Sequence, residues 1–131
     1  MPLTVTVDKQ RGLIITHGSG VLTLGDIAAA RAQARENPDF DPSFYELFDV
    51  RDVTEAQLTG ADMARIAASS VLAPGVCRAF VVANQRQHGL ARMFSGFAEP
   101  HDQRVVVFRE MAVAESWLAA RREAAGSSRP R

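Results

Sequence analysis

The 131-residue chain has the usual length of one domain, and its 47% hydrophobic and 23% charged residues are typical of a globular protein rather than a disordered or membrane-spanning one. Fifteen basic residues balance fifteen acidic ones, so no net charge favours nucleic acid or a membrane surface, and the N-terminus lacks the pattern of a signal peptide. We therefore expect a cytoplasmic protein with no nucleic-acid partner and no membrane insertion, and the single cysteine, Cys77, excludes an internal disulfide or a cysteine-based zinc site.

The beginning of the sequence predicts a hairpin followed by a helix. Leu3–Asp8 alternates apolar and polar residues, as a strand does when one of its faces is in water. A turn at Gly12 leads to a second apolar run at Leu13–Thr16, and the two runs together indicate an antiparallel hairpin. An alanine-rich helix is then expected over Thr23–Glu36, because it opens like a capping box and Pro38 follows its end.

The rest of the sequence alternates predicted strands and helices. The strands are at Phe44–Val50, Cys77–Ala83 and Val105–Phe108, and the helices are at Thr59–Leu72, Gln85–Ala98 and from Met111 to about Glu123. This alternation predicts right-handed crossovers and an α/β fold. We expect a single mixed, mostly parallel five-stranded sheet with an N-terminal antiparallel hairpin, flanked by four helices. Residues 1–124 would form a single domain, residues 125–131 a disordered polar tail, and the polar stretch 51–58 a loop.

Four segments spread over nearly the whole chain carry a resemblance to a known family: GSGVLTLGDI, FDVRDVTEAQLTGADM, GLARMFSGFAE and VVVFREMAVAESWL. Together with the predicted order of elements, they resemble the STAS superfamily of anti-sigma-factor antagonists, in particular its SpoIIAA-like branch of small bacterial proteins. The resemblance implies a mixed sheet flanked by helices, a regulatory or protein-binding role and frequent self-association. We accordingly expect a non-enzymatic module without a cofactor, a protein partner such as an anti-sigma factor or a kinase, and a homodimer.

In phosphorylatable STAS domains, the acceptor serine begins the helix that follows the middle strand, in an Asp-Ser-Ser-Gly-like turn. Here the corresponding stretch contains no serine, and Thr59, which is followed by Gly60, is the nearest positional equivalent. Thr59 is also a good N-cap, because Asp62 completes a capping box that stabilises a helix by about 1 kcal/mol. The sequence leaves both roles open for Thr59.

Polar residues follow the predicted parallel strands at the edge where open α/β sheets bind ligands. The candidate binding residues at this edge are Asp49, Arg51, Asp52, Asn84, Arg86, His88 and Arg109. The arginines could hold a carboxylate or phosphate, or they could pair with the neighbouring aspartates. Asn84 is also a candidate helix cap. His88 could act as a general base with Asp49 and Arg109, but no reaction motif and no metal-ligand spacing accompanies it.

The aromatic residues suggest an alternative function. Those predicted to face the core are Phe80, Phe94, Phe97, Phe108 and Trp117. Core packing is the simplest interpretation of such a set, but the rings could also line a pocket between the sheet and the helices. In that case the protein would be a carrier of a small apolar ligand, as some related folds are.

Overall fold

A computed structural model describes residues 2–127, and within this range the chain forms one five-stranded sheet and four α-helices. The strands are β1 (Leu3–Asp8), β2 (Leu13–Thr23), β3 (Tyr45–Gln57), β4 (Cys77–Val81) and β5 (Arg104–Phe108). The helices are α1 (Leu24–Glu36), α2 (Gly60–Ala68), α3 (Gln85–Ala98) and α4 (Met111–Ser127), and a short 3₁₀ turn spans Glu99–His101. Among these residues, none of the helices combines the length and apolar character needed to span a lipid bilayer.

The strands lie in the sheet in the order in which they occur in the chain. β1 is antiparallel to β2, and each later strand is parallel to the one before it. The hairpin turn favours Gly12, because its φ of +62° lies in the left-handed region that residues with a β-carbon rarely adopt. The predicted fold class, a mixed and mostly parallel sheet with an N-terminal hairpin and flanking helices, is confirmed.

Helices cover both faces of the sheet, because successive residues of a strand point to opposite sides. Leu47 and Ala79 face α4 and pack with its buried residue Leu118. Phe48 and Phe80 point to the other face, where α2 and α3 pack on them. α1 lies on this second face as well, beside β1 and β2. The second face is therefore the one that lies under α1, α2 and α3.

β2 and β3 are both longer than predicted. β2 continues through the glycine-rich stretch to Thr23, and β3 continues beyond Val50 to Gln57, so the predicted loop at residues 51–58 is wrong over residues 51–57. Two register shifts keep the strands paired, and Gly20, with a φ of +68°, stands at the second shift. Apart from Val53, the side chains in this part of β3 are exposed or half-buried. The sequence of this stretch therefore lacks the alternation of apolar and polar residues by which a strand is predicted.

α2 is shorter than the predicted helix. It ends at Ala68 rather than at Leu72, and Ser69 is its C-cap. The Ser69 hydroxyl donates a hydrogen bond of 2.7 Å to the carbonyl oxygen of Arg65. Such side-chain bonds compete with the backbone bonds that would continue a helix, which accounts for the early end.

The ends of β4 and α4 also differ from the prediction. β4 ends at Val81 rather than at Ala83, because the chain turns there into the cap of α3. α4 extends to Ser127 rather than to about Glu123, since the alanine-rich sequence in this stretch favours a helix. The first residues of the predicted polar tail are therefore helical, and residues 128–131 lie outside the described part of the chain.

Candidate functional site

Part of the predicted polar edge comes together in one open groove. The groove is lined by Arg51, Asp52, Val53, Thr54, Asn84, Arg86 and Gln87. It forms because β4 ends at Val81 while β3 continues, which leaves the edge of β3 beside the first turn of α3. The residues at 51 and 52, which the sequence places on a loop, thus lie on a strand.

Gln87 takes the place of a neighbouring strand at this edge. It is 5% exposed, and its Nε2 donates hydrogen bonds of 3.1 and 2.9 Å to the carbonyl oxygens of Arg51 and Val53. Its Oε1 accepts a hydrogen bond of 2.7 Å from the N–H of Ala83. Asn84 caps α3, because its Oδ1 accepts a bond of 2.9 Å from the Gln87 N–H. The predicted cap at Asn84 is confirmed, and the role of Gln87 was missed.

Asp49 and Arg51 form an ion pair next to the groove. Asp49 is 7% exposed, and the Arg51 Nε and Nη2 donate hydrogen bonds of 3.0 and 2.9 Å to its two carboxylate oxygens. Burial alone would raise the pKa of Asp49, but the hydrogen bonds from Arg51 outweigh this effect and the pKa is lowered. The same bonds raise the pKa of Arg51. Pairing of the edge arginines with neighbouring aspartates is therefore confirmed for Arg51.

His17 and Asp52 form a second polar contact that the sequence did not predict. The His17 Nε2 lies 2.8 Å from Asp52 Oδ2, and both side chains are substantially exposed. The contact depends on the pairing of the extended parts of β2 and β3. Within residues 2–127, no group of three His, Cys, Asp or Glu side chains is placed to hold a metal ion.

His88, Arg109 and Thr59 do not line the groove. His88 is half-buried on the first turn of α3, and within residues 2–127 no hydrogen bond joins its ring to Asp49 or Arg109. Arg109 is exposed just after β5. Thr59 is the exposed N-cap of α2, and its capping box with Asp62 has bonds of 3.0 and 2.9 Å. The predicted cap is confirmed, and phosphorylation of Thr59 stays a prediction.

A cavity of about 130 Å³, partly open to solvent, lies between the sheet and helices α1, α2 and α3, and most of the side chains around it are apolar. The sheet contributes Val5, Ile14, Phe48, Val50 and Phe80 to its lining, and the helices contribute Ile27, Ala30, Met63, Ile66, Ala91 and Phe94. Of the other aromatic residues predicted for a pocket, Phe97 lies outside this lining, and Phe108 and Trp117 pack together on the α4 side, with their ring centroids 5.5 Å apart. The cavity wall therefore differs from the predicted set.

A buried ion pair forms part of this wall. Arg78 is 5% exposed, and its Nε and Nη2 donate hydrogen bonds of 2.8 and 2.6 Å to Oε1 of Glu46. Its Nη1 donates a bond of 2.6 Å to Gln103, whose amide in turn donates to the carbonyl oxygen of Ala67 at 3.0 Å. The guanidinium carbon lies 5.0 Å from the centroid of the Phe94 ring. The sequence signal for this network is the charge of Arg78 inside an otherwise apolar strand.

Arg31 is a further cation in the cavity wall, and it joins α1 to the end of α2. Its Nη1 donates hydrogen bonds of 2.9 and 3.0 Å to the carbonyl and hydroxyl oxygens of Ser69, and its Nη2 donates a bond of 2.7 Å to the carbonyl oxygen of Ile66. The pKa of Arg31 is lowered to about 10, chiefly by burial and then by the positive charge of Arg78, while Glu46 raises it. Arg31 is therefore a partly desolvated cation.

Comparison with known proteins bears on the fold. No family model matches the sequence, and no curated protein matches it. The chain is similar to the crystal structure of an uncharacterised protein of the DUF3478 family with a SpoIIAA-like fold, from Shewanella loihica PV-4. The two have 14% sequence identity and a TM-score of 0.62, over 88% of this chain and 93% of that chain. This chain therefore has a SpoIIAA-like fold, as the sequence resemblance implied.

Proposed function

We propose that this chain is a non-enzymatic protein that binds a small apolar ligand between its sheet and helices α1, α2 and α3. The observation that carries the proposal is the cavity of about 130 Å³ with its mostly apolar lining. Sites for small molecules are usually concave and lined mainly by apolar side chains, with a few polar groups among them. An engineered apolar cavity of about 150 Å³ binds benzene, so a cavity of the size found here suits a compact apolar group.

The polar groove supports a second candidate function, a regulatory module that binds a protein partner or a second copy of itself. Such a partner would be an anti-sigma factor or a kinase, and the expected setting is the cytoplasm. Arg51 and Arg86 of the groove are exposed, and Met93, on the same helix as Arg86, is 49% exposed. Exposed methionine and arginine side chains are enriched in protein interfaces. This candidate is second because it gives the cavity no role.

The proposed function is tested by filling the cavity. Ala30 is 9% exposed and lines the cavity, whereas its neighbour Ala29 is exposed on the same helix. Ala30→Leu places an isobutyl group in the cavity, and Ala29→Leu places the same group at the surface. We expect toluene, followed by NMR chemical-shift titration, to bind the wild type and Ala29→Leu equally and Ala30→Leu at least about tenfold more weakly.

Thermal melts of the two variants, followed by circular dichroism, check that both are folded before they are titrated. Equal toluene affinity in the wild type and both variants would place the bound probe elsewhere on the protein. If neither toluene nor other ring compounds of similar size cause shift changes in the wild type, the proposal is wrong.

A further inference from the structure

The charges in the cavity wall do not balance. Arg31, Arg78 and Glu46 all line the cavity, so two positive groups accompany one negative group. Arg78 and Glu46 form an ion pair of 2.6 Å with each other. Arg31 has no carboxylate at ion-pair distance among residues 2–127, and its hydrogen bonds go to neutral groups of α2. The wall therefore has an excess of one positive charge, and that charge belongs to Arg31.

The hydrogen bonds of Arg31 leave donors unused. A guanidinium has five N–H groups, and its contacts with Ser69 and Ile66 involve Nη1 twice and Nη2 once. The Nε–H and one N–H of Nη2 remain without a partner among the described residues. Nε and Nη2 are also the atoms with which Arg51 holds the two oxygens of Asp49 in this molecule. Arg31 thus keeps the donors that an arginine uses to bind a carboxylate in bidentate fashion.

The surroundings of Arg31 disfavour its charge when the cavity holds no anion. Burial is the main cause that lowers its pKa to about 10, and the nearby charge of Arg78 adds to this effect. A neutral apolar ligand in the cavity would displace any water near the guanidinium and desolvate it further. An anionic group beside Arg31 would instead supply the opposite charge that this partly desolvated cation lacks at ion-pair distance.

We propose that the ligand of the cavity is a small carboxylic acid in its ionised form, with an apolar body about the size of one ring, and that Arg31 pairs with its carboxylate. This inference rests on the proposed function and defines the class of ligand for the same cavity. The single negative charge of one carboxylate balances the one excess positive charge of the cavity wall. The two negative charges of a phosphate dianion would exceed it. The apolar body occupies the space bordered by Ala30, Phe48 and Phe80.

The test compares three probes of similar apolar size: phenylacetate, its neutral analogue phenylacetamide, and toluene. Their affinities are measured by NMR titration of the full chain and of three variants, Arg31→Gln, Arg31→Lys and Arg35→Gln. Arg35 is an exposed residue one turn further along α1, so Arg35→Gln removes the same charge from the same helix outside the cavity wall. Circular dichroism melts establish that each variant is folded.

We expect the wild type and Arg35→Gln to bind phenylacetate about tenfold or more tightly than phenylacetamide. Arg31→Gln should bind both probes equally, and Arg31→Lys should retain a reduced preference, because an ammonium keeps the charge but not the bidentate geometry. If toluene binds but the wild type does not distinguish acid from amide, the ligand class is wrong and the proposed function stands. If none of the probes binds the wild type, both are wrong. If Arg31→Gln still binds phenylacetate more tightly than phenylacetamide, the carboxylate is bound by a residue other than Arg31, and the assignment to Arg31 is wrong.

Discussion

The arginines of this chain differ in how far their partners lie along the sequence. Arg51 pairs with Asp49, two residues before it, which is one of the two roles that the sequence left open for this arginine. The environment of Arg31 was missed, although a signal was present. Ile27, Arg31 and Ala34 follow the helical spacing of one buried stripe of α1, so a charged residue occupies an apolar face. A charge at such a position indicates a buried polar contact or a ligand site.

The ion pair of Asp49 predicts a pH-dependent contribution to stability. The pKa of folded Asp49 is lowered relative to the unfolded chain, in which an aspartate has a pKa of about 3.9. Its stabilising effect is therefore fully present above pH 4 and is lost as pH falls through the folded pKa. We expect Asp49→Asn to lower the free energy of unfolding by about 1–3 kcal/mol at pH 7, and by less as the pH falls below 4. Urea denaturation at a series of pH values measures both effects.

Asp52→Asn is the matched control, because the side chain of Asp52 is 66% exposed and its contact is with an exposed histidine. We expect this variant to change the free energy of unfolding by less than about 1 kcal/mol at pH 7. If Asp49→Asn lowers the free energy of unfolding by the same amount or by more at acid pH than at pH 7, the pKa of this carboxylate is not lowered in the folded protein.

β3 shows how a strand can continue after its neighbour has ended. β4 leaves the sheet at Val81, and from Arg51 to Val53 the side chain of Gln87 bonds to the edge of β3 that β4 no longer covers. Unpaired backbone carbonyls at a buried edge are unfavourable, so one amide side chain replaces a missing strand here. The groove lies where this replacement leaves β3 without a neighbouring strand.

Gln87→Glu is expected to weaken the end of β3. A carboxylate cannot donate hydrogen bonds, so the carbonyl oxygens of Arg51 and Val53 lose their partner and face a negative charge. We expect a loss of about 1–3 kcal/mol in the free energy of unfolding. Amide hydrogen exchange should also become faster at residues 51–57 than at residues 46–49, which remain paired with β4.

Gln85→Glu makes the same chemical change at an exposed position of α3 and serves as the control. Its exchange rates in β3 should equal those of the wild type. Unchanged protection of residues 51–57 in Gln87→Glu would mean that pairing with β2 alone holds this part of the strand.

The two faces of the whole molecule are packed differently. On the α4 face, the core is closed by contacts such as the tilted pair of Phe108 and Trp117. On the other face, α1 packs mainly on β1 and β2, whereas α2 packs mainly on α3. The space between α1 and α2 is bridged by the hydrogen bonds of Arg31 to Ser69 and Ile66. The cavity lies in the space that remains because α1 and α2 pack on different neighbours.

The second candidate function predicts a dimer that uses the outer side of α3. Met93 on α3 is 49% exposed and Val113 on α4 is 54% exposed, so the two residues offer matched apolar positions on different helices. If the chain self-associates through α3, Met93→Lys should give a monomer, and Val113→Lys should leave the dimer intact. Size-exclusion chromatography with light scattering measures the mass. A wild type that is monomeric at micromolar concentration, or dimers in both variants, would contradict this interface.

The periodicity and caps of the chain were sufficient to predict its element types, their order and a mixed, mostly parallel sheet, whereas the SpoIIAA-like fold was implied by the resemblance of four segments to that family. Capping at Thr59 and Asn84 was also predictable, because a cap depends on residues only three positions apart. The continuation of β3, the Arg78–Glu46 pair and the charge of Arg31 in the cavity wall were not predictable in this way. Each depends on groups that are distant in the chain and come into contact only when the sheet and helices pack. A local sequence pattern contains no information about such long-range contacts.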